Sequence, residues 1–152
     1  MINYFAYGSN ISSFRMLNER KVNFINRKFA ILENYKLLFN KVSKKNCYIG
    51  FANVVESEGD FVEGALYEID DSDISIIDRF EGANSTPNHY YRKNVNVVCD
   101  DKIINAIVYV ANPIMIRENI KPDKNYLNYI LDGKDLFSVD YYEKLKLTKT
   151  LD

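Results

Sequence analysis

A short polar segment follows the first apolar stretch of the chain and has the residue types of an anion-binding loop. Tyr7-Gly8-Ser9-Asn10 lies directly before a weak helical pattern that begins at Ile11. Glycine lets a ligand approach the backbone closely, and N–H groups at a helix start favour a carboxylate or a phosphate. The Gly-Lys-Ser/Thr ending of a nucleotide P-loop is absent. The segment is therefore either such a binding loop or a plain strand-to-helix turn capped by Asn10.

A second candidate for chemistry is a glutamate at the predicted end of a helix. Glu81 directly precedes Gly82, and glycine at that position is typical of a helix C-terminus. The negative end of the helix dipole and partial burial both disfavour an ionised carboxylate. Both effects would raise the pKa of Glu81 toward the range of a general base. The alternative is an exposed glutamate on a frayed last turn.

Strands and helices must position these residues, and the apolar pattern predicts both kinds of element. It indicates six or seven strands and three or four helices that do not alternate regularly, which favours an α+β fold. The strands are expected at residues 3–7, 22–31, 35–42, 48–55, 61–69, 90–98 and 102–110. The helices are expected at about 11–17, from 70–72 to Gly82, at about 123–131 and at about 139–147.

Length, charge and cysteine content narrow the class of protein. Residues 1–152 are expected to form one domain. The formal net charge of −1 lacks the basic footprint of a nucleic-acid binder. No apolar run approaches the ~20 residues of a membrane span, and the N-terminus does not read as a signal peptide. Because Cys47 and Cys99 are the only cysteines, we expect a reducing, cytoplasmic location.

Several motifs, taken together and in this order, resemble those of one enzyme family over nearly the whole chain. They are Phe5-Ala6-Tyr7-Gly8-Ser9-Asn10, Ile49-Gly50-Phe51-Ala52-Asn53-Val54, Gly64-Ala65-Leu66-Tyr67-Glu68-Ile69, Asp78 with Glu81-Gly82, Tyr90-Tyr91-Arg92, Pro122-Asp123-Lys124-Asn125-Tyr126, and Gly133. The family is the gamma-glutamylcyclotransferase-like family. The resemblance implies a small mixed β-barrel surrounded by helices.

The resemblance also implies a reaction and a set of site residues. The α-amine of a γ-glutamyl amide would attack its own γ-carbonyl, releasing 5-oxoproline and a free amine or amino acid. Glu81 would move the proton, and the loop from Tyr7 to Asn10, with Ile11, would hold the substrate's α-carboxylate or the developing oxyanion. Tyr90 and Tyr126 match positions that line the family's pocket. No metal, ATP or other cofactor is implied, and the expected partner is a small γ-glutamyl molecule.

The leaving group of such a substrate stays open at this point. Lys134 follows Gly133 where the family often has a small residue, and Leu136-Phe137-Ser138 replaces the usual Gly-Leu-Pro. These departures fall in a region expected to border the leaving group. Candidates are γ-glutamyl amino acids, γ-glutamyl amines such as the isopeptide with lysine, and a protected biosynthetic intermediate. The oligomeric state is not predicted.

Two readings from other classes compete with this enzyme. A covalent hydrolase would have to use His89, the only histidine, with Ser9 or Cys99 as the nucleophile, although neither has a nucleophile-elbow motif. Zinc is disfavoured because Cys47, His89 and Cys99 lack ligand spacing. Alternatively, the same cavity belongs to a binding module for an amino-acid-like molecule, because a fold does not determine a function.

Overall fold

Five strands form a closed barrel in the computed structural model, which describes residues 1–152. The strand order is β1-β3-β2-β4-β5, and the barrel closes through a parallel contact between Tyr4 of β1 and Ile107 of β5. The other neighbouring strands are antiparallel. The strands are β1 (Ile2–Ala6), β2 (Phe24–Val42), β3 (Gly50–Ile69), β4 (Tyr90–Cys99) and β5 (Lys102–Ala111). The predicted α+β class and the small mixed barrel are thus confirmed.

The two longest strands correct the sequence prediction. Separate strands are predicted on either side of Asn34 and of Gly59, whereas β2 and β3 each run through these residues. Asn34 (φ 61°) and Gly59 (φ 85°) are left-handed, and the Gly59 N–H donates to Asn34 Oδ1 at 3.1 Å. Both strands therefore bend together at a bulge without reversing direction. The barrel has five strands instead of six or seven because these turn residues do not make hairpins.

Three α-helices follow the predicted pattern closely. They are α1 (Ile74–Glu81), α2 (Lys124–Leu131) and α3 (Val139–Lys146). The side chains of Asp123 and Ser138 cap α2 and α3 by accepting backbone N–H groups at 2.7 and 3.3 Å. The predicted helix at 11–17 is instead a 3₁₀ turn at Ser9–Ile11 followed by a π-helical turn at Arg15–Glu19. No helix has both the length and the apolar character to cross a membrane.

A buried tyrosine of β3 fixes the loop that follows β1. The Tyr67 side chain is fully buried, and its hydroxyl lies 2.7 and 2.9 Å from the carbonyl oxygens of Asn10 and Ile11. Arg27 of β2 also donates to the Ile11 carbonyl at 2.8 Å, and its guanidinium pairs with Asp135 at 2.7 Å. Because these two carbonyls accept hydrogen bonds from side chains of the barrel wall, β2 and β3 hold the loop backbone in place.

We predict that Tyr67→Phe lowers the free energy of unfolding by about 1–2 kcal/mol. The substitution keeps the packed ring but leaves the buried Asn10 carbonyl without the hydroxyl that it faces. Denaturant unfolding of the purified protein measures this loss. Tyr48→Phe is the matched control, because that side chain is 68% exposed and its change should stay within about 0.5 kcal/mol. Equal unfolding midpoints for Tyr67→Phe and wild type would contradict this account of the loop.

Candidate active site

A cavity of about 330 Å³ opens where β2 ends and where β3 and β4 begin. Its wall also includes the end of β1, the loop after it, the last turn of α1 and one side chain of α2. Seven of the eight residues predicted from the sequence line it: Tyr7, Gly8, Ser9, Asn10, Glu81, Tyr90 and Tyr126. The fold therefore brings the loop after β1 together with Glu81, Tyr90 and Tyr126, although even Glu81 lies 71 positions beyond Asn10 in the sequence.

Glu81 is the last residue of α1, and the chain turns sharply directly after it. Gly82 is left-handed (φ 63°), and the N–H groups of Gly82 and Ala83 bond to carbonyls of the last helical turn. A Cβ at Gly82 would lie 3.0 Å from the His89 side chain. Both the left-handed backbone and the nearby His89 side chain favour glycine at position 82. The helix therefore ends at Gly82, and the Glu81 carboxylate before it faces the cavity.

The Glu81 carboxylate is held by an amide and is not paired directly with a cation. Asn10 Nδ2 donates to Glu81 Oε1 at 3.3 Å. Removal from water raises the pKa of Glu81, while the more distant positive charges of Arg20, Arg15 and Lys41 lower it, and the net shift is upward. Glu81 is only partly buried as a residue because one side of it faces the open cavity. The site thus combines a carboxylate of raised proton affinity with access for a ligand.

Asn10 connects this carboxylate to two further groups. Its Nδ2 also donates to the Tyr4 hydroxyl at 3.0 Å, and its Oδ1 accepts from Arg20 Nε at 3.2 Å. The Arg20 guanidinium lies over the Phe80 ring, 4.2 Å from its centroid, which fixes the cation beside the end of α1. One buried amide therefore determines the relative positions of Tyr4, Arg20 and Glu81.

Tyr90 and Tyr126 both form hydrogen bonds with Ala52 of β3, one as the donor and the other as the acceptor. Tyr90 donates its hydroxyl proton to the Ala52 carbonyl at 2.8 Å. The Tyr126 hydroxyl instead accepts the Ala52 N–H at 3.0 Å, which leaves its own proton free to meet a ligand in the cavity. Burial raises the pKa of both phenols, so both stay protonated. Gly8 packs against Tyr126 and Ala52, since a Cβ there would lie 3.1 Å from the Tyr126 oxygen and 3.2 Å from the Ala52 Cβ.

Ile11 is the predicted site residue that the structure places elsewhere. Its side chain is fully buried, and it does not line the cavity. Its N–H donates to the Gly8 carbonyl at 3.0 Å to close the 3₁₀ turn. Ile11 therefore supports the loop from inside, packed so tightly on Gly133 that a Cβ there would lie 2.4 Å from it. Residues 133–138, which were expected near the pocket, do not line the cavity either.

Several cavity residues were not identified from the sequence. Arg15 and Arg20 follow the polar loop closely, and their nearness to it was a usable signal. Lys41 and Tyr109 carry no local signal, since they read as ordinary strand residues. Arg92 is exposed on β4 and does not line the cavity, and it donates through Nε to Asp78 at 2.7 Å.

Asp78 has a structural place behind the cavity wall. The Tyr109 hydroxyl donates to it at 2.7 Å, and the Tyr109 carbonyl accepts from the Tyr7 hydroxyl at 2.5 Å. Burial alone would raise the pKa of Asp78, but the hydrogen bonds from Arg92 and Tyr109 outweigh this and lower it. An ionised Asp78 therefore anchors α1 to β4 and β5, in contrast to Glu81 one helical turn later.

The groups needed for a covalent hydrolase are not assembled. His89 and Ser9 both line the cavity, yet His89 Nδ1 is buried without a hydrogen-bond partner, and burial lowers the pKa of the ring. Cys99 lies outside the cavity, at the end of β4. No nucleophile is thus paired with an oriented base in the way that such a mechanism requires.

Comparison with known proteins finds a matching family model, a relative of known name and solved structures of similar fold. Residues 4–144 match the family model described as "Gamma-glutamyl cyclotransferase, AIG2-like". A Bos taurus protein named gamma-glutamylcyclotransferase is 34% identical over 85 residues, which are 54% of this chain and 45% of that protein. A solved gamma-glutamyl cyclotransferase superimposes with a TM-score of 0.84 at 27% identity, over 99% of this chain and 89% of that one. An uncharacterized Homo sapiens protein gives 0.84 at 29% identity, with the same coverage.

The raised pKa of Glu81 predicts how one variant changes stability with pH. Ionisation of a carboxyl group whose pKa is raised by folding destabilises the folded state at pH values above that pKa. Glu81→Gln should therefore unfold at a higher denaturant concentration than wild type at neutral pH, and this difference should vanish as the pH falls and Glu81 becomes protonated. Glu58→Gln, an exposed change in the β3 bulge, should show no such trend. A less stable Glu81→Gln protein at neutral pH would contradict the account.

Proposed function

The chain belongs to the gamma-glutamyl cyclotransferase, AIG2-like family, and we propose that it is a cyclotransferase that cleaves a γ-glutamyl amide. The substrate's own α-amine attacks its γ-carbonyl, and the products are 5-oxoproline and a free amine or amino acid. The observation that carries this proposal is the Glu81 carboxylate, which faces the cavity at the end of α1 and accepts a hydrogen bond from the loop amide of Asn10. Support also comes from the relatives, two of which are named for this activity.

Glu81 moves a proton from the attacking nitrogen to the departing one. The α-amine arrives as an ammonium ion, which has no lone pair for attack. Glu81 accepts one proton, the freed amine adds to the γ-carbonyl, and a C–N bond forms as the carbonyl becomes an oxyanion. The same carboxyl group then protonates the leaving nitrogen while the original amide C–N bond breaks. The ring nitrogen loses its second proton as the new amide forms, and that proton leaves with the released amine as its ammonium ion. The atoms balance without water or a co-reactant, because the reaction is an internal exchange of one amide for another.

A carboxyl group with a moderately raised pKa suits both halves of this transfer. It must be ionised to accept the first proton and acidic enough to release it to the leaving nitrogen. Burial raises the proton affinity of Glu81, while Arg20, Arg15 and Lys41 keep it from rising further. The opposing effects therefore poise one group as a base and then as an acid.

The loop and the aromatic wall hold the substrate in the bent shape that cyclisation needs. Backbone N–H groups of Gly8, Ser9 and Asn10 begin the 3₁₀ turn and lack intrahelical partners. They bind the substrate's α-carboxylate or the oxyanion, and the free proton of Tyr126 adds a donor from α2. The hydrogen bond from Tyr90 to the Ala52 carbonyl holds this part of β3 in place at the cavity wall. Well-oriented intramolecular reactions gain roughly 7–11 kcal/mol in this way.

The wider setting is part of the same proposal. Residues 1–152 act as one domain, because β1 and β5 close one barrel and α2 packs on the loop after β1. A cytoplasmic location suits the two unpaired cysteines. The partner is a small γ-glutamyl molecule, with no cofactor and neither nucleic acid nor membrane.

We predict that purified protein releases 5-oxoproline from γ-glutamyl substrates and that Glu81→Gln lowers kcat/KM by about 10²–10⁴-fold. The glutamine keeps the size of the side chain and its contact with Asn10 but cannot carry a proton. Chromatographic detection of 5-oxoproline measures the reaction, and Glu58→Gln should match wild type.

Full activity of Glu81→Gln would contradict the assigned role. A folded wild-type protein that binds γ-glutamyl compounds in calorimetry without releasing 5-oxoproline would instead identify a binding module that uses the same cavity.

A further inference from the structure

Lys41 is buried at the cavity wall without a partner for its charge. The residue is only 3% exposed, and none of the ion pairs of the chain includes it. Its Nζ lies over two rings, 5.6 Å from the centroid of Phe51 and 5.4 Å from that of Tyr90. Burial lowers the pKa of Lys41 to about 8, so most molecules carry the positive charge at neutral pH. The charge lies at the cavity wall and has no ion-pair partner in the protein, which points to an anion supplied from outside.

The other cations of the inner cavity already have protein partners. Arg20 donates to Asn10 at 3.2 Å and lies over Phe80. Arg15 lies over the Tyr129 ring and pairs with Glu19 at 3.5 Å, while its buried Nε makes no hydrogen bond. Among the inner cations, Lys41 is thus the one whose side chain has neither an ion pair nor a hydrogen bond to the protein.

The position of Lys41 in the chain directs it toward the leaving group. Lys41 lies near the end of β2, and the following residues Lys44 and Lys45 are exposed where the cavity meets solvent. In the proposed reaction the γ-glutamyl portion occupies the region of Glu81 and the loop after β1. The leaving group must then extend toward the cavity mouth. On its way to the mouth the leaving group would pass the segment of chain that carries Lys41, Lys44 and Lys45.

The charge balance of the wall favours an anionic leaving group. Glu81 is the only acidic side chain among the residues that line the cavity, and the proposed chemistry already uses it. The lining cations are Arg15, Arg20, Lys41, Lys44, Lys45 and Arg79. An amino acid as leaving group carries a carboxylate close to the departing nitrogen, whereas a simple amine carries none.

We propose that Lys41 binds the carboxylate of the leaving amino acid and so makes the chain selective for γ-glutamyl amino acids over γ-glutamyl amines. This inference rests on the proposed function and adds a specificity-determining residue to it. The aromatic rings of Phe51 and Tyr90 hold the ammonium in place, so little side-chain freedom is lost when the carboxylate arrives.

The test uses two substrates that differ by a single carboxylate, γ-glutamylalanine and γ-glutamylethylamide. Release of 5-oxoproline gives kcat/KM for each. A charge-assisted hydrogen bond corresponds to about 10–100-fold, and wild type should prefer γ-glutamylalanine by that factor. Lys41→Met should lose this preference, so that the ratio of kcat/KM for the two substrates falls toward one, while the loss of a positive charge near Glu81 changes both rates by a common factor. Lys41→Arg, which keeps the charge, should retain the preference, and Lys36→Met on the outside of β2 should match wild type.

Three results would overturn the inference, and only one of them also removes the proposed function. An equal loss on both substrates would assign Lys41 to the shared γ-glutamyl part or to the fold. Equal rates of wild type on the two substrates would show that the carboxylate is not recognised, whatever the folding of the variants. Release of 5-oxoproline from neither these substrates nor other γ-glutamyl amides, by wild-type protein with cooperative unfolding, would refute the proposed function and this inference together.

Discussion

The hydrogen bond between Asn10 and Glu81 is the contact on which the rest of the site depends. It joins the loop after β1 to the end of α1 across 71 positions of sequence. On the loop side, Tyr67 and Arg27 hold the carbonyl groups of residues 10 and 11. On the helix side, Gly82 ends α1 so that the carboxylate of Glu81 faces the cavity. A displacement of either side would separate the amide from the carboxylate.

Electrostatics in the cavity differ from those of the chain as a whole. The net charge is −1, yet the cavity has one carboxylate among several cations. This local excess keeps the proton affinity of Glu81 moderate and gives the wall an affinity for anions. Asp78, one turn earlier in α1, is neutralised by Arg92 and serves the fold instead. Two carboxylates on one short helix therefore differ in pKa because one has a direct cationic partner and the other has an amide.

The parts of the structure that were predictable from sequence are those with a local chemical signal. The helices expected from about 123 and about 139 are present, with Asp123 and Ser138 as their N-caps. Gly82 ends α1, and the motifs around Asn10, Glu81, Tyr90 and Tyr126 meet in one cavity.

The errors have physical reasons. The residues around Asn34 and Gly59 have turn chemistry, but pairing between the two strands makes them a shared bend. Ile11 follows the loop in sequence, yet the short 3₁₀ turn directs it into the core. Lys41 was missed because only the tertiary fold buries a strand lysine between two rings.

The most direct test of the central claim compares the pKa of Glu81 with the pH dependence of the reaction. Carboxyl ¹³C NMR of glutamate-labelled protein, assigned with Glu81→Gln, gives the pKa of this one group. The acidic limb of kcat/KM for 5-oxoproline release gives the pKa of the essential base in the free enzyme. The account predicts that the two values coincide and lie above the ordinary value of a glutamate. A Glu81 that titrates at or below that ordinary value, or an acidic limb at a different pH, would contradict it.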